Sequence, residues 1–283
     1  MADQKVVLIT GVSSGIGQAT AQLLAQRGFT VFGTSRHPSA AEKILGVEVL
    51  PLDVRVEESV NACVDAVLAR AERLDVLVNN AGYVLRCAVE EAALEEARAQ
   101  FETNFFGVVR MVKAVLPIMR RQGGGQIINI SSLVGLVPLP FGGFYSASKF
   151  ALEGYTEALR HEVKPFNIRV SLVEPGFIKT RLAENTRYPA QRIPDYDPWR
   201  QRVLEARQQY AEKAREPVLV AECVLSIIES GSPRLRYMVG KEARVARLRE
   251  FLPESLFERG MRRRLHLDVK QLAGPGDEKR GAA

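Results

Sequence analysis

Short apolar runs alternate with longer segments of helical periodicity along most of the chain. The first run, 6–9, reads Val-Val-Leu-Ile without polar alternation, which is typical of a strand buried on both faces. The next segment has apolar residues at helical spacing from Ile16 to Leu24 and ends at Arg27-Gly28, a common helix stop. The same alternation predicts strands at 6–9, 30–34, 47–52, 76–78, 126–130, 168–173 and 237–239, and helices at 16–27, 56–73, 94–121, 145–159 and 221–228.

Strands that alternate with helices through short connections predict an α/β fold. We expect a doubly wound parallel sheet of about seven strands with helices on both faces. Because no linker interrupts the alternation, we predict one domain over 1–273 and a small polar tail at 274–283. In the helix near Tyr145, the inner side is predicted to carry Phe150, Ala151, Ala158 and Leu159.

A glycine-rich turn joins the first predicted strand to the first helix. Its sequence at 10–17 is Thr-Gly-Val-Ser-Ser-Gly-Ile-Gly. Glycines let the backbone approach a pyrophosphate, and the helix N-terminus adds free amides and the positive end of a dipole. The spacing is not G-x-G-x-x-G, and a need for positive φ angles would also explain the glycines. Because a strand precedes the turn and a helix follows it, we interpret the turn as dinucleotide-binding.

The residues after the second strand bear on the choice of cofactor. An acid there would bind the ribose hydroxyls and repel a 2′-phosphate, but the chain has Ser35, Arg36 and His37. The planar guanidinium of Arg36 can hold a phosphate through two hydrogen bonds, and Ser35 can add another. An ordinary surface arginine is the alternative. We therefore predict NADP(H), with NAD(H) as the second choice.

Composition and charge exclude several classes of protein. The chain has 283 residues, 46% hydrophobic and 25% charged, which suits a large buried core. Cys63, Cys87 and Cys223 have no metal-binding spacing and indicate a reducing compartment rather than a disulfide framework. No apolar run approaches the roughly 18 residues of a membrane span, and no secretory leader precedes the first strand. We therefore expect a cytoplasmic protein with no metal site.

Basic residues crowd the C-terminal quarter of a chain whose net charge is +6. They lack the interleaved aromatic residues of a base-stacking platform, so we expect no nucleic-acid partner. The segment 251–265 predicts an amphipathic helix with a basic side. That helix could dock near the substrate loop, lie at a subunit interface or touch a membrane surface. The basic positions are Lys241, Arg244, Arg247, Arg249, Arg259, Arg262, Arg263 and Arg264.

Tyr145 and Lys149 stand four residues apart at the start of a predicted helix. At this spacing their side chains lie on one helical face, about one turn apart. A cation beside a phenol favours the phenolate and lowers its pKa from about 10. Such a tyrosine can exchange a proton with an alcohol oxygen. The pair alone is common by chance, and a plain helix start explains it equally well.

The full series of motifs resembles the short-chain dehydrogenase/reductase family over about 5–240. The motifs occur together, in the family's order and at its distances. They are the 10–17 turn, Asn79-Asn80-Ala81-Gly82, Asn104 with Gly107, Ser132 thirteen residues before Tyr145, Lys149, and Pro175-Gly176 with Thr180. The resemblance implies a Rossmann-type fold, and it is greatest to the 17-beta-hydroxysteroid and retinol dehydrogenase-like branch.

The resemblance implies a role for each matched residue. Tyr145 would be the general acid/base, and Ser132 would stabilise charge on the substrate oxygen. Lys149 would lower the pKa of the tyrosine and bind the nicotinamide ribose. Asn104 would hold a water of the proton relay, and Asn80 would brace the sheet. The implied cofactor-binding residues are Gly11, Ser13, Ser14, Gly15, Ile16, Gly17, Arg36, Asp53, Val54, Asn79, Ala81, Gly82, Tyr145, Lys149, Pro175, Gly176, Ile178 and Thr180.

The family's variable substrate lid would correspond to about 177–217, and 241–273 would be a C-terminal helical extension. Many apolar residues here predict a bulky hydrophobic substrate, although they would equally serve to pack the lid on the body. The lid contributes Phe177, Leu182, Tyr188, Ile193, Tyr196 and Trp199. The opposite wall contributes Leu133, Val134, Leu136, Val137, Leu139, Phe141 and Phe144.

These observations predict an NADP(H)-dependent oxidoreductase that transfers a hydride between the nicotinamide and a carbonyl or secondary alcohol. The expected substrate is steroid-, retinoid- or lipid/polyketide-like. A 3-oxoacyl thioester or small carbonyl reductase is the alternative. A non-catalytic dinucleotide-binding sensor would be free to lose Ser132, Tyr145 or Lys149, and all are present. The resemblance also implies a homodimer or homotetramer.

Overall fold

The computed structural model describes residues 4–40, 44–180, 185–242, 249 and 251–267. The strands are β1 (Val6–Ile9), β2 (Thr30–Ser35), β3 (Val47–Pro51), β4 (Val76–Asn79), β5 (Val84–Leu85), β6 (Gly125–Ile130), β7 (Ile168–Pro175), β8 (Thr186–Arg187) and β9 (Arg236–Val239). The α-helices are α1 (Gly15–Gln26), α2 (Glu57–Ala71), α3 (Leu94–Phe101), α4 (Gly107–Arg121), α5 (Gly143–Val163), α6 (Asp197–Glu212), α7 (Val218–Glu229) and α8 (Glu254–Arg264).

Seven strands form one sheet in the order β3-β2-β1-β4-β6-β7-β9, and every neighbouring pair is parallel. The order reverses between β1 and β4, where such sheets open a crevice at their carboxyl edge. One face packs its apolar side chains against α2, α4 and α5, and the other packs against α1 and α7. The predicted Rossmann-type doubly wound sheet is thus confirmed.

The helical region predicted at 94–121 is divided by a wide turn. α3 and α4 are joined by the π-helical segment Glu102–Phe106. A π segment carries one extra residue in a turn and so shifts the face that later residues present. The apolar pattern of the sequence did not reveal this shift.

The buried face of α5 differs from the predicted one. Phe150 is 40% exposed and Ala158 is also exposed, whereas Leu152, Thr156 and Leu159 are buried. The buried positions follow a spacing of three to four residues and so form one stripe. The prediction was correct for Leu159 and wrong for Phe150 and Ala158, which lie off that stripe.

The lid, residues 177–217, contains β8 and α6. β8 pairs with β5 in a separate two-stranded sheet. α8 docks on α6, because Met261 and Leu265 pack beside Val203 and Ala206. Docking near the lid was one of the placements predicted for the basic helix. The predictions that concern Leu182, Arg244, Arg247 and the tail 274–283 fall outside the described residues.

Among the described residues, no helix combines the length and the hydropathy that crossing a bilayer requires.

Candidate active site

The turn between β1 and α1 borders a cavity of about 580 Å³ at the carboxyl edge of the sheet. Gly11 and Gly15 have φ angles of +74° and +62°, where a side chain would be strained. A Cβ on Gly11 would lie 3.1 Å from Ala81, and one on Gly15 would lie 3.1 Å from Thr180. The N-cap of α1, Ser14, makes no side-chain hydrogen bond to the first turn. The turn therefore offers backbone amides and open space, which suits an anion such as a pyrophosphate.

Gly17 lies off the cavity wall, contrary to the prediction from the sequence. A Cβ at this position would overlap the carbonyl oxygen of Gly11. Gly17 thus allows α1 to pack closely on the turn that precedes it, and it shapes the site without facing it.

Asn79 and Asn80 are placed differently from the prediction. Asn79 is buried, and its Nδ2 donates to Oδ1 of Asn129 on β6 at 2.9 Å. Asn80 lines the cavity, and its Nδ2 donates to the carbonyls of Thr10 and Gly11 at 3.0 and 2.8 Å. Consecutive residues at a strand end point in opposite directions, so only one of the pair can face the cavity. Asn79 braces the sheet, and Asn80 braces the glycine turn.

Arg36, Asp53 and Arg55 line the end of the cavity near β2 and β3. Arg55 donates to Asp53 through Nη2 at 2.6 Å and Nε at 2.9 Å. This hydrogen bond lowers the pKa of Asp53, with burial acting in the opposite direction. Because Arg55 balances the carboxylate, the exposed Arg36 adds a net positive charge. Arg55 was missed from the sequence, although it follows Asp53 by only two positions.

Ser132, Tyr145 and Lys149 meet on the wall where β6 ends and α5 begins. Oγ of Ser132 accepts from the Val134 amide at 3.3 Å and is hydrogen-bonded to the Tyr145 phenol. Nζ of Lys149 lies 6.0 Å from the centroid of the Tyr145 ring and donates to the carbonyl of Ile130 at 2.8 Å. These contacts place a hydroxyl, a phenol and an ammonium on the same side of the cavity.

Burial governs the protonation of Tyr145 and Lys149. It raises the pKa of Tyr145, while the Ser132 hydrogen bond and the charge of Arg207 act in the opposite direction. It lowers the pKa of Lys149 to about 8, opposed by Glu153. Arg207 supplies a positive charge that acts to lower the pKa of Tyr145. The role of Lys149 in lowering that pKa stays a prediction.

Asn104 lies behind the cavity wall, within the π-helical segment. Its Oδ1 accepts from the Tyr83 amide at 3.1 Å, and its Nδ2 donates to the Tyr83 carbonyl at 3.0 Å. Nδ2 also donates to Oγ of Ser148 at 3.3 Å, and that hydroxyl donates to the Tyr145 carbonyl at 2.7 Å. Asn104 is thus coupled to the first turn of α5 through Ser148, which the sequence did not single out. A role for Asn104 in holding water stays a prediction.

The other predicted site residues lie on the wall of the same cavity. They are Gly11, Ser13, Ser14, Gly15, Ile16, Arg36, Asp53, Val54, Ala81, Gly82, Ser132, Tyr145, Lys149, Pro175, Gly176, Ile178 and Thr180.

Several residues predicted to line a substrate pocket are packed against other parts of the protein. Val134 and Val137 are buried. Leu139 and Phe141 pack against the cluster that joins α6 to α8. Phe177 stacks on a residue of α6 with 5.0 Å between ring centroids. For Leu139, Phe141 and Phe177, these contacts agree with the alternative considered from the sequence, that the apolar residues pack the lid on the body.

Glu91 connects the lid to the body, and no motif indicated it. Its carboxylate accepts from the Ala88 amide at 2.8 Å and from the Ile193 amide at 2.9 Å. It is also ion-paired with Arg200 of α6. Burial acts to raise the pKa of Glu91, but these hydrogen bonds and the arginine outweigh it, so the pKa lies below its usual value. The acid is therefore ionised at neutral pH and binds the lid through the Ile193 amide and Arg200.

Known proteins share both the sequence and the fold of this chain. A model of the short chain dehydrogenase family matches residues 5–191. A 3-ketodihydrosphingosine reductase from Bacteroides thetaiotaomicron is 42% identical over 91% of this chain and 97% of its own length. Retinol dehydrogenase 8 from Homo sapiens is 38% identical over 82% of this chain and 80% of its own length.

Solved structures give the same result. A short-chain dehydrogenase from Streptomyces avermitilis superposes with a TM-score of 0.80 at 33% identity, over 97% of this chain and all of its own. A short chain dehydrogenase from Burkholderia cenocepacia in complex with NADP superposes with a TM-score of 0.73 at 26% identity, over 92% of this chain and 98% of its own. The glycine turn, the serine–tyrosine–lysine wall and these matches lead to one conclusion: the chain belongs to the short-chain dehydrogenase/reductase family of oxidoreductases.

Proposed function

We propose that the protein transfers a hydride between NADP(H) and a carbonyl or secondary alcohol on a hydrophobic substrate. The observation that carries the proposal is the placement of Ser132, Tyr145 and Lys149 on one wall of the cavity that the glycine turn borders. A cofactor held by that turn would have its reactive ring within the cavity that the three side chains face.

The residues suit proton transfer that accompanies hydride transfer. The nicotinamide, when bound, supplies or accepts the hydride. In the reductive direction, negative charge develops on the substrate oxygen, and Ser132 and Tyr145 both donate hydrogen bonds to it. Because the pKa of Tyr145 is raised, the phenol is protonated at neutral pH and its Oη can deliver the proton. Lys149, with a pKa of about 8, carries a positive charge near this oxygen at neutral pH.

The charge at the far end of the cavity favours NADP(H) over NAD(H). Arg36 and Arg55 line this end, and the carboxylate of Asp53 is held by Arg55. A 2′-phosphate would therefore meet one unopposed guanidinium and no free acid. Solved relatives include complexes with NAD and with NADP, so the preference for NADP(H) rests on the residues at this end of the cavity.

The names of the relatives support a long hydrophobic substrate. One is called a 3-ketodihydrosphingosine reductase and another a retinol dehydrogenase. A homodimer or homotetramer is also proposed, because exposed Phe150 on α5 and exposed Phe106 beside α4 leave apolar area on helices that the family uses for assembly. A cytoplasmic location remains part of this proposal.

Measurement of NADPH oxidation against a substrate panel tests the function. The panel contains retinal, a steroid ketone, 3-ketodihydrosphingosine, a 3-oxoacyl thioester and a small aldehyde. We expect kcat/KM for at least one long apolar carbonyl to exceed that of the small aldehyde by about tenfold or more, because apolar contacts add to binding. NADPH binding without turnover of any compound would favour a sensor. Equal turnover of the small aldehyde would overturn the hydrophobic substrate class.

A further inference from the structure

A second, small cavity of about 20 Å³ lies between the lid helix α6 and the body. Three arginines line it: Arg86 after β5, and Arg200 and Arg207 on α6. Three guanidinium groups around so small a space would repel one another unless each had a partner. Whether each has one decides what the cavity can bind.

Arg200 has its partners within the chain. It is ion-paired with Glu91 and Asp197, and its guanidinium lies 5.7 Å from the ring centroid of Phe141. Its charge is therefore balanced, and it serves to hold the lid.

Arg86 and Arg207 are different. Nε of Arg86 is buried without a hydrogen-bond partner. Across the part of the chain that the structure describes, the ion pairs of nearby arginines involve Arg192 and Arg200, and no acid is paired with Arg86 or Arg207. A buried guanidinium nitrogen without a partner costs stability, and an anionic group bound at Arg86 would remove that cost.

Arg207 lies beside the first turn of the helix that carries Tyr145. Its Nη1 is 3.9 Å from the position of a Cβ on Gly142, the residue before α5. Burial and the charge of Arg86 lower the pKa of Arg207 to about 10, because the two positively charged arginines repel one another. Arg207 remains charged at neutral pH, and its charge acts to lower the pKa of the Tyr145 phenol.

We propose that Arg86 and Arg207 bind a carboxylate of the substrate, so that the natural substrate is a hydrophobic oxo acid or hydroxy acid. This inference rests on the proposed function. A carboxylate is planar and can accept parallel hydrogen bonds from guanidinium groups. A volume of about 20 Å³ has room for roughly one water-sized group, so a single carboxylate oxygen fits it, whereas a tetrahedral phosphate ester does not. A substrate with an ammonium group near its carbonyl would be repelled.

The site predicts selectivity within matched pairs of substrates. The probes are 4-, 6- and 8-oxodecanoate and their methyl esters, reduced by the full-length protein with NADPH. We expect the best acid to exceed its ester in kcat/KM by about 10- to 100-fold, chiefly through KM, because hydrogen bonds between charged groups are lost in the ester. Arg86→Gln and Arg207→Gln should each remove most of that preference, and Arg86→Gln should leave the kcat/KM of the ester within about threefold.

Arg202→Gln is the matched control. Arg202 lies on the same helix and carries the same charge, but it stacks on Trp199 at 5.7 Å and donates to the His266 carbonyl at 3.4 Å. This variant should keep the preference for the acid. If Arg207→Gln loses its cooperative melting transition, Arg207→Lys and the competitive inhibition of the wild-type protein by decanoate against decan-1-ol provide the same comparison.

The possible results distinguish failure of the carboxylate site from failure of the proposed oxidoreductase activity. Equal use of acids and esters, or an equal loss for both in the two arginine variants, would overturn the carboxylate site while leaving the oxidoreductase intact. Higher activity on 3-ketodihydrosphingosine than on every oxo acid would also overturn it. Failure to oxidise NADPH with any compound would reject the proposed function itself, and with it the substrate class.

Discussion

The two halves of the site are built by different means. The cofactor half is formed where consecutive strands end, and its residues are held by backbone conformation: glycines at positive φ, and Asn80 bonded to the turn carbonyls. The substrate half depends on contacts between segments far apart in the chain, such as the Glu91–Arg200 ion pair and the approach of Arg207 to Gly142. Local rules thus place the residues of the reaction chemistry, whereas the proposed selectivity would depend on tertiary contacts.

The largest expected effect concerns the residue at the junction of the two halves. Tyr145→Phe removes the proton donor and keeps the ring, so kcat should fall by a factor on the order of 10³. The NADPH dissociation constant should change by less than about threefold, because binding energy comes mainly from the other half of the site. Steady-state kinetics and the quenching of protein fluorescence by NADPH measure the two quantities.

Ser148→Ala provides a comparison at the same helical turn. It removes the hydroxyl that joins Asn104 to the Tyr145 carbonyl while keeping the phenol. Its loss of kcat should be much smaller than that of Tyr145→Phe. Comparable activity of Tyr145→Phe and the wild-type protein would show that the phenol does not transfer the proton, and the division between chemistry and selectivity would then fail.

The cofactor half was largely predictable from the sequence, because its positions are tied to strand ends. The turn after β1, the residues after β2 and β3, and Ser132 after β6 could all be placed by recognising where an apolar run stops. The predicted placements differ from the structure where only one of two adjacent side chains can face the cavity. Asn79 braces the sheet and Asn80 faces the cavity, and Gly17 allows close packing of α1 on the turn. Periodicity identifies the end of a strand but not which of two adjacent side chains faces the ligand.

A smaller effect is expected within the cofactor half. Arg36→Asp replaces the unopposed guanidinium with a carboxylate, which would repel a 2′-phosphate and could bind ribose hydroxyls. The ratio of kcat/KM for NADPH to that for NADH should fall by about 10- to 100-fold. The measurement is the initial rate with each cofactor at a fixed concentration of the same carbonyl substrate.

Arg27→Asp makes the same charge change at an exposed position at the other end of α1. It should leave the ratio within about twofold, because exposed charges farther apart than roughly 10 Å are screened. A similar shift in both variants would assign the preference to overall charge. An unchanged ratio in Arg36→Asp would show that Arg36 does not determine the cofactor preference.

The substrate half was much less predictable, for a physical reason. Arg86, Glu91 and Arg207 are separated by up to 121 positions, and no periodicity relates them. Their importance comes from burial and from which charges remain unpaired, and both properties exist only after the lid has docked. Aromatic and aliphatic residues of the lid and of the opposite wall did stand out in the sequence, yet Phe141 and Leu139 of that wall pack against the cluster that joins α6 to α8. Composition therefore indicated an apolar region without showing its polar contacts.

The smallest expected effect tests whether the lid is held by charge. Glu91→Gln keeps the size of the side chain but removes the ion pair with Arg200 and weakens the bonds from the Ala88 and Ile193 amides. The free energy of unfolding at pH 7 should fall by about 1–2 kcal/mol, and KM should rise a few-fold because the lid is less firmly seated. Glu95→Ala, at a side chain that is 79% exposed, should change stability by less than about 0.5 kcal/mol.

The lowered pKa of Glu91 determines how the stability difference between the wild type and Glu91→Gln changes with pH. The pKa of Glu91 is lowered in the folded protein from an ordinary value of 4.5, so the unfolded chain binds the proton more tightly. The stabilisation from the ionised acid is complete above pH 4.5 and is lost as the pH falls through the lower, folded value. The difference in unfolding free energy between the wild type and Glu91→Gln should therefore be constant near neutrality and shrink in acid. A difference that does not change between pH 7 and pH 3 would mean that the lid is held by shape and apolar packing, and that the two halves of the site differ less than their contacts indicate.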